Sequence, residues 1–374
     1  MPPARRASIG AVRVGGHVAL VHDYLLVLRG AERTFAEMAE VWPDAQIHAL
    51  LYDERGTCGR FAQRRIVTSP LQRLGLGQQH FRRLMPVYPT AIRRLPLEDY
   101  SLVVSSSSAF AHGARTAPGA AHVCYCHSPF RYAWHERERA IAEVPPLLRP
   151  VLRAALRRHR AFDRAAVSRL TGLIANSAIT RERIRRYWGR DARIVHPPVD
   201  VHRFAPSHGG EDLLFVGEVT RHKRVELALE AAEQAGRRIR VVGAGPDLPR
   251  LRRRFSRSAE FFGRVDDREL ERLYATSVAL VVPNVEEFGI AAVEAQAAGR
   301  PVIAADGGGA RETVRPGETG WLVPPDDVNA LAATMRRSQA DFDPAVLRRN
   351  AERFSPAAFR RRLLEAVEEL TGTA

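Results

Sequence analysis

The sequence predicts an α/β protein made of two doubly wound, parallel-sheet domains. Short apolar runs recur along most of the chain and alternate with amphipathic stretches, which is the pattern of repeated βα units. That alternation breaks once, at the proline-rich stretch 197–211 (PPVDVHRFAPSHGGE), and then restarts. A length of 374 residues with 45% apolar content suffices for two cores. The expected divisions are a disordered arm at 1–16, a first domain at 17–200, a second at 201–354, and a final helix at 355–374 crossing back to the first domain.

Each element of the first half has its own signal. His17 to His22 (HVALVH) reads as a strand closed by Asp23, either a cap or a site residue. The loop to Gly30 and the amphipathic run Ala31 to Ala39 complete an opening βα unit of Rossmann-like type. Further strands are expected at Ala45 to Leu51, Arg65 to Thr68 and Tyr100 to Ser105, with an irregular arginine-rich stretch at 70–95. The strand Ala121 to Cys126 ends at His127-Ser128-Pro129. A histidine at the carboxyl end of a parallel strand stands where α/β ligand sites form, although alone it would more often be structural. Residues 145–168 form an arginine-studded helix with Leu152, Ala155, Leu156 and His159 at helical spacing. That helix is either simply solvated or touches a membrane surface. Strands at Gly172 to Ala175 and Arg193 to His196 precede the linker.

In the second half, strands are expected at Asp212 to Val216, Ile239 to Val242, Glu260 to Phe262, Ala279 to Val282 and Pro301 to Ala305. Gly243-Ala244-Gly245-Pro246 is a glycine turn, and Asp266 caps a helix. The most informative stretch is 281–305 (VVPNVEEFGIAAVEAQAAGRPVIAA). Pro283 ends a strand, a turn carries Glu286 and Glu287, and Phe288-Gly289 opens a helix that Gly299 closes. Each glutamate alone reads as a solvated acid. Glu294, however, sits among small apolar neighbours, where a carboxylate is expected to have a partner. Between Glu286 and Glu294 lie the open N–H groups of Phe288, Gly289 and Ile290. Carboxylates bind sugar hydroxyls and helix N-termini bind phosphate, and a nucleotide-sugar presents both.

Composition narrows the function classes. The net charge is +15, yet all 57 basic residues except Lys223 are arginine, so much of the charge reflects compositional bias. No recognition motif or basic–aromatic stripe accompanies it, which argues against nucleic acid. An anionic membrane surface or a lipid-diphosphate acceptor fits any functional share better. Three cysteines without metal-site spacing suit a reducing compartment, so the expectation is a cytoplasmic protein, peripheral at the inner membrane face. No apolar run is long enough to span a bilayer, and no secretory signal is evident at the N-terminus. No Asp-x-Asp metal motif sits at a strand end; Asp341-Phe342-Asp343 precedes Pro344 and reads as a helix cap.

The two-glutamate spacing with Phe-Gly after the first acid, followed by Ala-x-Ala-x-Gly-x-Pro-Val-Ile, resembles the signature of the family-four retaining glycosyltransferases. The likeness covers nearly the whole chain and is strongest to the O-antigen and exopolysaccharide mannosyltransferase branch. It implies the GT-B architecture of two facing Rossmann-like domains with the site between them. It also implies a nucleotide-sugar donor, GDP-mannose by that branch, no cofactor and no metal. By the same resemblance Glu286 meets the donor hexose, Phe288, Gly289 and Ile290 the diphosphate, and Glu294 the ribose. Lys223, with Arg221 beside it, holds the diphosphate; Glu218 stands where relatives carry an arginine. Gly30, Gly243 and Val265 complete the donor-binding set, Val265 at the base, although Ala31 replaces the second glycine that relatives have after Gly30. His127 is placed near the transferred sugar, and Phe130, Tyr132 and Trp134 as the floor of the acceptor cleft. The acceptor is a glycan, a lipid-linked or a small molecule.

Other readings stay open on the residues alone. An epimerase or a phosphorylase could use the same scaffold, and a basic non-catalytic binding module would show steeply salt-dependent binding without a donor. A nicotinamide dehydrogenase fits poorly, since neither glycine turn completes Gly-x-Gly-x-x-Gly.

Overall fold

The computed structural model describes residues 17–75, 80–206, 209–338 and 342–372. The arm expected at 1–16 lies outside the described residues, as do parts of the 70–95 stretch and of the linker. The chain divides into two units. The first runs to Asn176 and takes in Thr180–Val195 and the chain from Arg360, while the second is His196–Phe359 with Ser177–Ile179.

The first unit is built on β1 (Val18–His22), β2 (Gln46–Ala49), β3 (Ile66–Thr68), β4 (Leu102–Ser107), β5 (Ala121–Cys126), β6 (Gly172–Ala175) and β7 (Arg193–Ile194). They form one parallel sheet in the order β3-β2-β1-β4-β5-β6-β7. Every residue of β4, β5 and β6 is buried, as expected of parallel strands covered on both faces. Cys124 and Cys126 share the core on one face of β5, and burial pushes the Cys124 thiol up to about 12, so both are packing residues. The winding reverses between β1 and β4, and the crevice outside their carboxyl ends is where such sheets take ligands.

Asp23 fixes that end of the sheet. Its Oδ2 accepts the N–H groups of Ser108 and Ala109 at 2.7 and 2.9 Å, and its Oδ1 those of Phe110 and Ala111 at 2.8 and 2.6 Å. Of the two roles open to Asp23, the structure uses it as a loop cap. The helix Pro356–Thr371 ends in this unit as well. Arg360 pairs with Glu37 at 2.5 Å, Glu369 pairs with Arg193, and Leu370 fills the space that a side chain at Gly172 would need.

The second unit holds β8 (Leu213–Val216), β9 (Ile239–Val242), β10 (Ala259–Gly263), β11 (Ala279–Val282), β12 (Val302–Ala305) and β13 (Gly320–Val323). The order is β10-β9-β8-β11-β12-β13, again all parallel. Leu213 and Phe215 of β8 enter one core and Leu214 the other, and β11 divides Ala279 and Val281 from Leu280 and Val282 in the same way. The twelve strands expected from sequence all form, within two residues of the expected ends; β13 was not anticipated. Asp266 and Asp343 cap their helices through Glu269 N and Ala345 N, while Asp341 lies outside the described residues. Among the described residues no helix is long and apolar enough to cross a membrane.

Candidate active site

In the second unit the winding reverses between β8 and β11, so the loops leaving these two strands flank its switch point. Lys223 comes from the first loop, in the 3-10 turn Arg221–Lys223, and Glu286 from the second. Their side chains meet: Lys223 Nζ donates to Glu286 Oε1 at 2.6 Å. Asn284 Nδ2 donates to the same oxygen at 3.1 Å. Both charged groups remain partly exposed, at 23% and 21%, so a ligand can reach them without unfolding the loops. Arg221 is exposed in the same turn and makes no ion pair among the described residues.

Close backbone packing holds both loops. Any side chain at Gly243 would collide with the Gly217 carbonyl, and one at Gly245 with that of Val219, while Val219 N donates to Ala244 O at 3.1 Å. On the other side Gly307-Gly308-Gly309 lies against the Glu286 loop. A Cβ at Gly308 would strike the Glu286 carbonyl and one at Gly309 the Phe288 backbone, and Gly309 N donates to Glu286 O at 3.0 Å. Gly243 is therefore placed by the structure as a close-approach glycine beneath the Lys223 loop. The triple glycine was visible in the sequence but carried no role there, because its partner backbone, Glu286 to Phe288, lies a helix and a strand upstream.

The helix Ile290–Ala297 starts from Gly289, whose φ of 88° is in the left-handed region that glycine tolerates. The intrahelical ladder leaves the first N–H groups open, and these stand immediately after Glu286 in the chain. Phe288 anchors the start of the helix, buried with its ring 5.5 Å from His196 and 5.3 Å from Phe354. Ile290 and Val265 are partly buried against the same core, so any contact they offer a ligand is through backbone or one edge.

Glu294 has the partner its setting demanded. Tyr274 Oη donates to Glu294 Oε2 at 2.8 Å, from a fully buried ring whose hydroxyl is kept protonated by burial and by the Glu294 charge. Tyr274 was missed in the sequence because its helix lies one strand away. The bond fixes the carboxylate through its Oε2. Tyr274→Phe is expected to weaken binding of a nucleotide-sugar donor about 3- to 10-fold, and Glu294→Gln more, with kcat changed less in both. Titration calorimetry against the donor checks this; equal losses in kcat and affinity would remove the ribose role.

In the first unit His127 follows β5. Its Nε2 lies 2.8 Å from Ser106 Oγ at the end of β4, and its ring meets those of Tyr125 and His22 edge-on, at 5.2 and 6.5 Å. Burial, reinforced by repulsion from His22, holds its pKa down at about 3, so it is a neutral imidazole throughout the physiological range. Ser106 was not singled out in the sequence, although its place one strand over from His127 follows from the sheet order. Gly30 is the first residue of the helix Gly30–Val41 rather than the last of the loop, and its carbonyl accepts from Thr34 Oγ1 at 2.8 Å.

The expected aromatic cleft floor is corrected in part. Phe130 and Trp134 are buried in the core of the first unit, and only Tyr132 stays partly exposed. Trp134 Nε1 donates to the buried Asp163 at 2.6 Å, and its ring stacks on Tyr187 at 5.0 Å. Asp163 is also held by His159 and His112, at 3.0 and 3.3 Å, and these partners more than offset the upward pull of burial, so it stays ionised. These aromatics order the first unit's core around a paired charge.

A family model described as glycosyltransferase family 4 matches residues 28–203, and one described as glycosyl transferases group 1 matches residues 210–341. The D-inositol 3-phosphate glycosyltransferase of Geodermatophilus obscurus is 34% identical over 46% of this chain and 46% of its own. The phosphatidyl-myo-inositol mannosyltransferase of Mycobacterium tuberculosis is 32% identical over 45% of this chain and 49% of its own. The chain thus spans about half the length of the curated relatives it matches. Among solved structures, Anabaena HepE in complex with UDP and glucose superposes with a TM-score of 0.68 at 19% identity, covering 94% of this chain and all of that one. Sucrose-phosphate synthase from Thermosynechococcus elongatus gives 0.69 at 18% identity, over 95% of this chain and all of that one. The two parallel-sheet, Rossmann-like units are those of the GT-B fold.

Proposed function

We propose that the chain, which matches the two glycosyltransferase models one after the other, is a retaining, metal-independent hexosyltransferase. Its donor is a nucleotide-sugar, GDP-mannose in the first instance. Its acceptor is a glycan, a lipid-linked or a small molecule, met peripherally at the inner face of a membrane. The observation that carries this reading is the Lys223–Glu286 pair across the sheet's switch point, next to an open helix start. A cation, a carboxylate and unpaired N–H groups on adjacent loops match the diphosphate and hydroxyls of one donor.

Each group then has a distinct task. Lys223 and the amides of Phe288, Gly289 and Ile290 neutralise the departing diphosphate, with Arg221 as a second cation. Glu286 accepts from hydroxyls of the transferred hexose, and Glu294, steadied by Tyr274, from those of the ribose. Val265 meets the base through its backbone. In the first unit the candidates are His127, as neutral imidazole, and Gly30. Among the described residues no side chain has the setting of a covalent nucleophile, which favours retention by same-face attack through an oxocarbenium-like transition state. The mannosyltransferase among the curated relatives supports the choice of mannose, and the UDP complex among the structural neighbours keeps uridine donors in the test.

A donor panel assayed by nucleoside-diphosphate release, with and without lipid-linked acceptors, tests the reading. Release is expected with one donor and is stimulated by an acceptor. Glu286→Gln should lower kcat at least about 30-fold while changing donor affinity much less. Conversion of the donor without release would instead mean an epimerase, and a requirement for inorganic phosphate a phosphorylase.

A further inference from the structure

The helix Arg149–Val167 turns the apolar stripe seen in its sequence largely inward. Leu156, His159, Phe162 and Val167 are buried in the first unit's core and Leu152 packs against it, while Ala155 is exposed. The stripe is therefore spent on packing and does not face outward. What does face outward is the turn before the helix and its first turn. Leu147 is 91% exposed, Val151 67% and Leu148 54%, half of the large apolar side chains that stand exposed among the described residues. A leucine left that open projects from the surface and lines no groove.

The charges on the helix itself are one-sided. Arg149 is tied back to the carbonyls of Val144 and Ala142, and Arg160 and Arg164 lie over the Trp134 ring at 4.8 and 5.5 Å. Arg153, Arg157 and Arg158 are exposed and make no ion pair among the described residues. The one acid on the helix, Asp163, is buried among Trp134, His159 and His112. The outer face of the helix thus offers apolar side chains and cations with no carboxylate of its own, and Glu143, the exposed acid before the turn, is paired with Arg139.

We propose that this end of the first unit docks on an anionic bilayer. Leu147, Leu148 and Val151 enter the headgroup region, and Arg153, Arg157 and Arg158 meet the lipid phosphates. The occupant follows from the charge. A second copy using the same patch would set the arginines against themselves across a two-fold axis. A groove-seeking protein partner has no groove to fill. The proposal rests on the reading of a membrane-facing transferase for its purpose, although the docking requires no donor.

The full chain, without donor, should cosediment with vesicles of phosphatidylcholine and phosphatidylglycerol at low salt, lose binding as salt rises, and ignore pure phosphatidylcholine. Arg153→Gln, Arg157→Gln and Arg158→Gln together should lower partitioning at least about tenfold, as should serine at 147, 148 and 151. Circular dichroism should be unchanged, because all six side chains are exposed. Glutamine at Arg253, Arg257 and Arg349, exposed arginines of the second unit, should leave partitioning as it was. Absence of wild-type binding, an equal loss in that control, or patch variants that only turn a dimer into a monomer would each overturn the proposal. Nucleoside-diphosphate release in vesicle-free solution is measured on the same variants. Patch variants that lose vesicle binding yet keep release support the docking surface. A wild-type chain that keeps release but binds no vesicles sinks only the docking surface, and one that binds vesicles but gives no release sinks only the transferase reading.

Discussion

Lys223→Ala is expected to cut kcat/KM at least about 100-fold with the fold intact by circular dichroism, and Lys223→Arg at least about 10-fold although it keeps the charge. The ammonium reaches Glu286 Oε1 at 2.6 Å from a 3-10 turn that Arg224 ends in a left-handed conformation, so its approach is set by a tight loop. A compact point charge can pass from the carboxylate to a diphosphate oxygen within that space. A planar guanidinium needs a wider approach and favours a bidentate hold on Glu286. The pair also predicts opposing effects for Glu286→Gln. Removing the carboxylate frees the lysine for phosphate and tightens donor binding slightly, while turnover falls. Steady-state kinetics over limiting and saturating donor separate the two. An arginine variant working at the wild-type rate would make Lys223 an ordinary surface cation.

Asp23→Asn should lower the stability of the first unit by about 3 kcal/mol, seen as a fall of roughly 6–10 °C in its thermal midpoint. The carboxylate accepts four backbone N–H groups, two on each oxygen. Asparagine keeps one accepting oxygen and turns an NH2 toward two other donors, so two bonds become two repulsions in a buried site. Alanine would leave all four N–H groups unpaired and cost at least as much. An unchanged midpoint in calorimetry would show that water or a loop shift satisfies those groups.

The parallel sheets were legible because buried strands advertise themselves as short apolar runs between turn residues, as in HVALVH and AHVCYC. β13 escaped because only Trp321, Leu322 and Val323 are apolar, behind the charged turn at 315–318, and a run that short has no period. Glu286 and Glu294 stood out by spacing and by their apolar neighbours. Lys223 stood out as the one lysine, but its pairing with Glu286 did not, and Tyr274 was not singled out, since the two reach their glutamates only through strand order, 63 and 20 residues away in the chain. The aromatics after His127 were misplaced for a related reason. Indole and phenyl rings suit a ligand cleft and a core equally, and the buried charge of Asp163, which decides for the core, sits on a distant helix.

The membership of residues from Arg360 in the first unit has a consequence for synthesis. The unit that leaves the ribosome first lacks the helix that packs over Gly172 until the whole second unit has been translated. At ordinary elongation rates that interval is on the order of ten seconds or more, during which Gly172, Glu37 and Arg193 wait without Leu370, Arg360 and Glu369. The second unit, whose sheet needs nothing from beyond Phe359, can close in the meantime. Nascent chains halted before residue 360 should therefore resist protease in the second half while remaining open to it in the first.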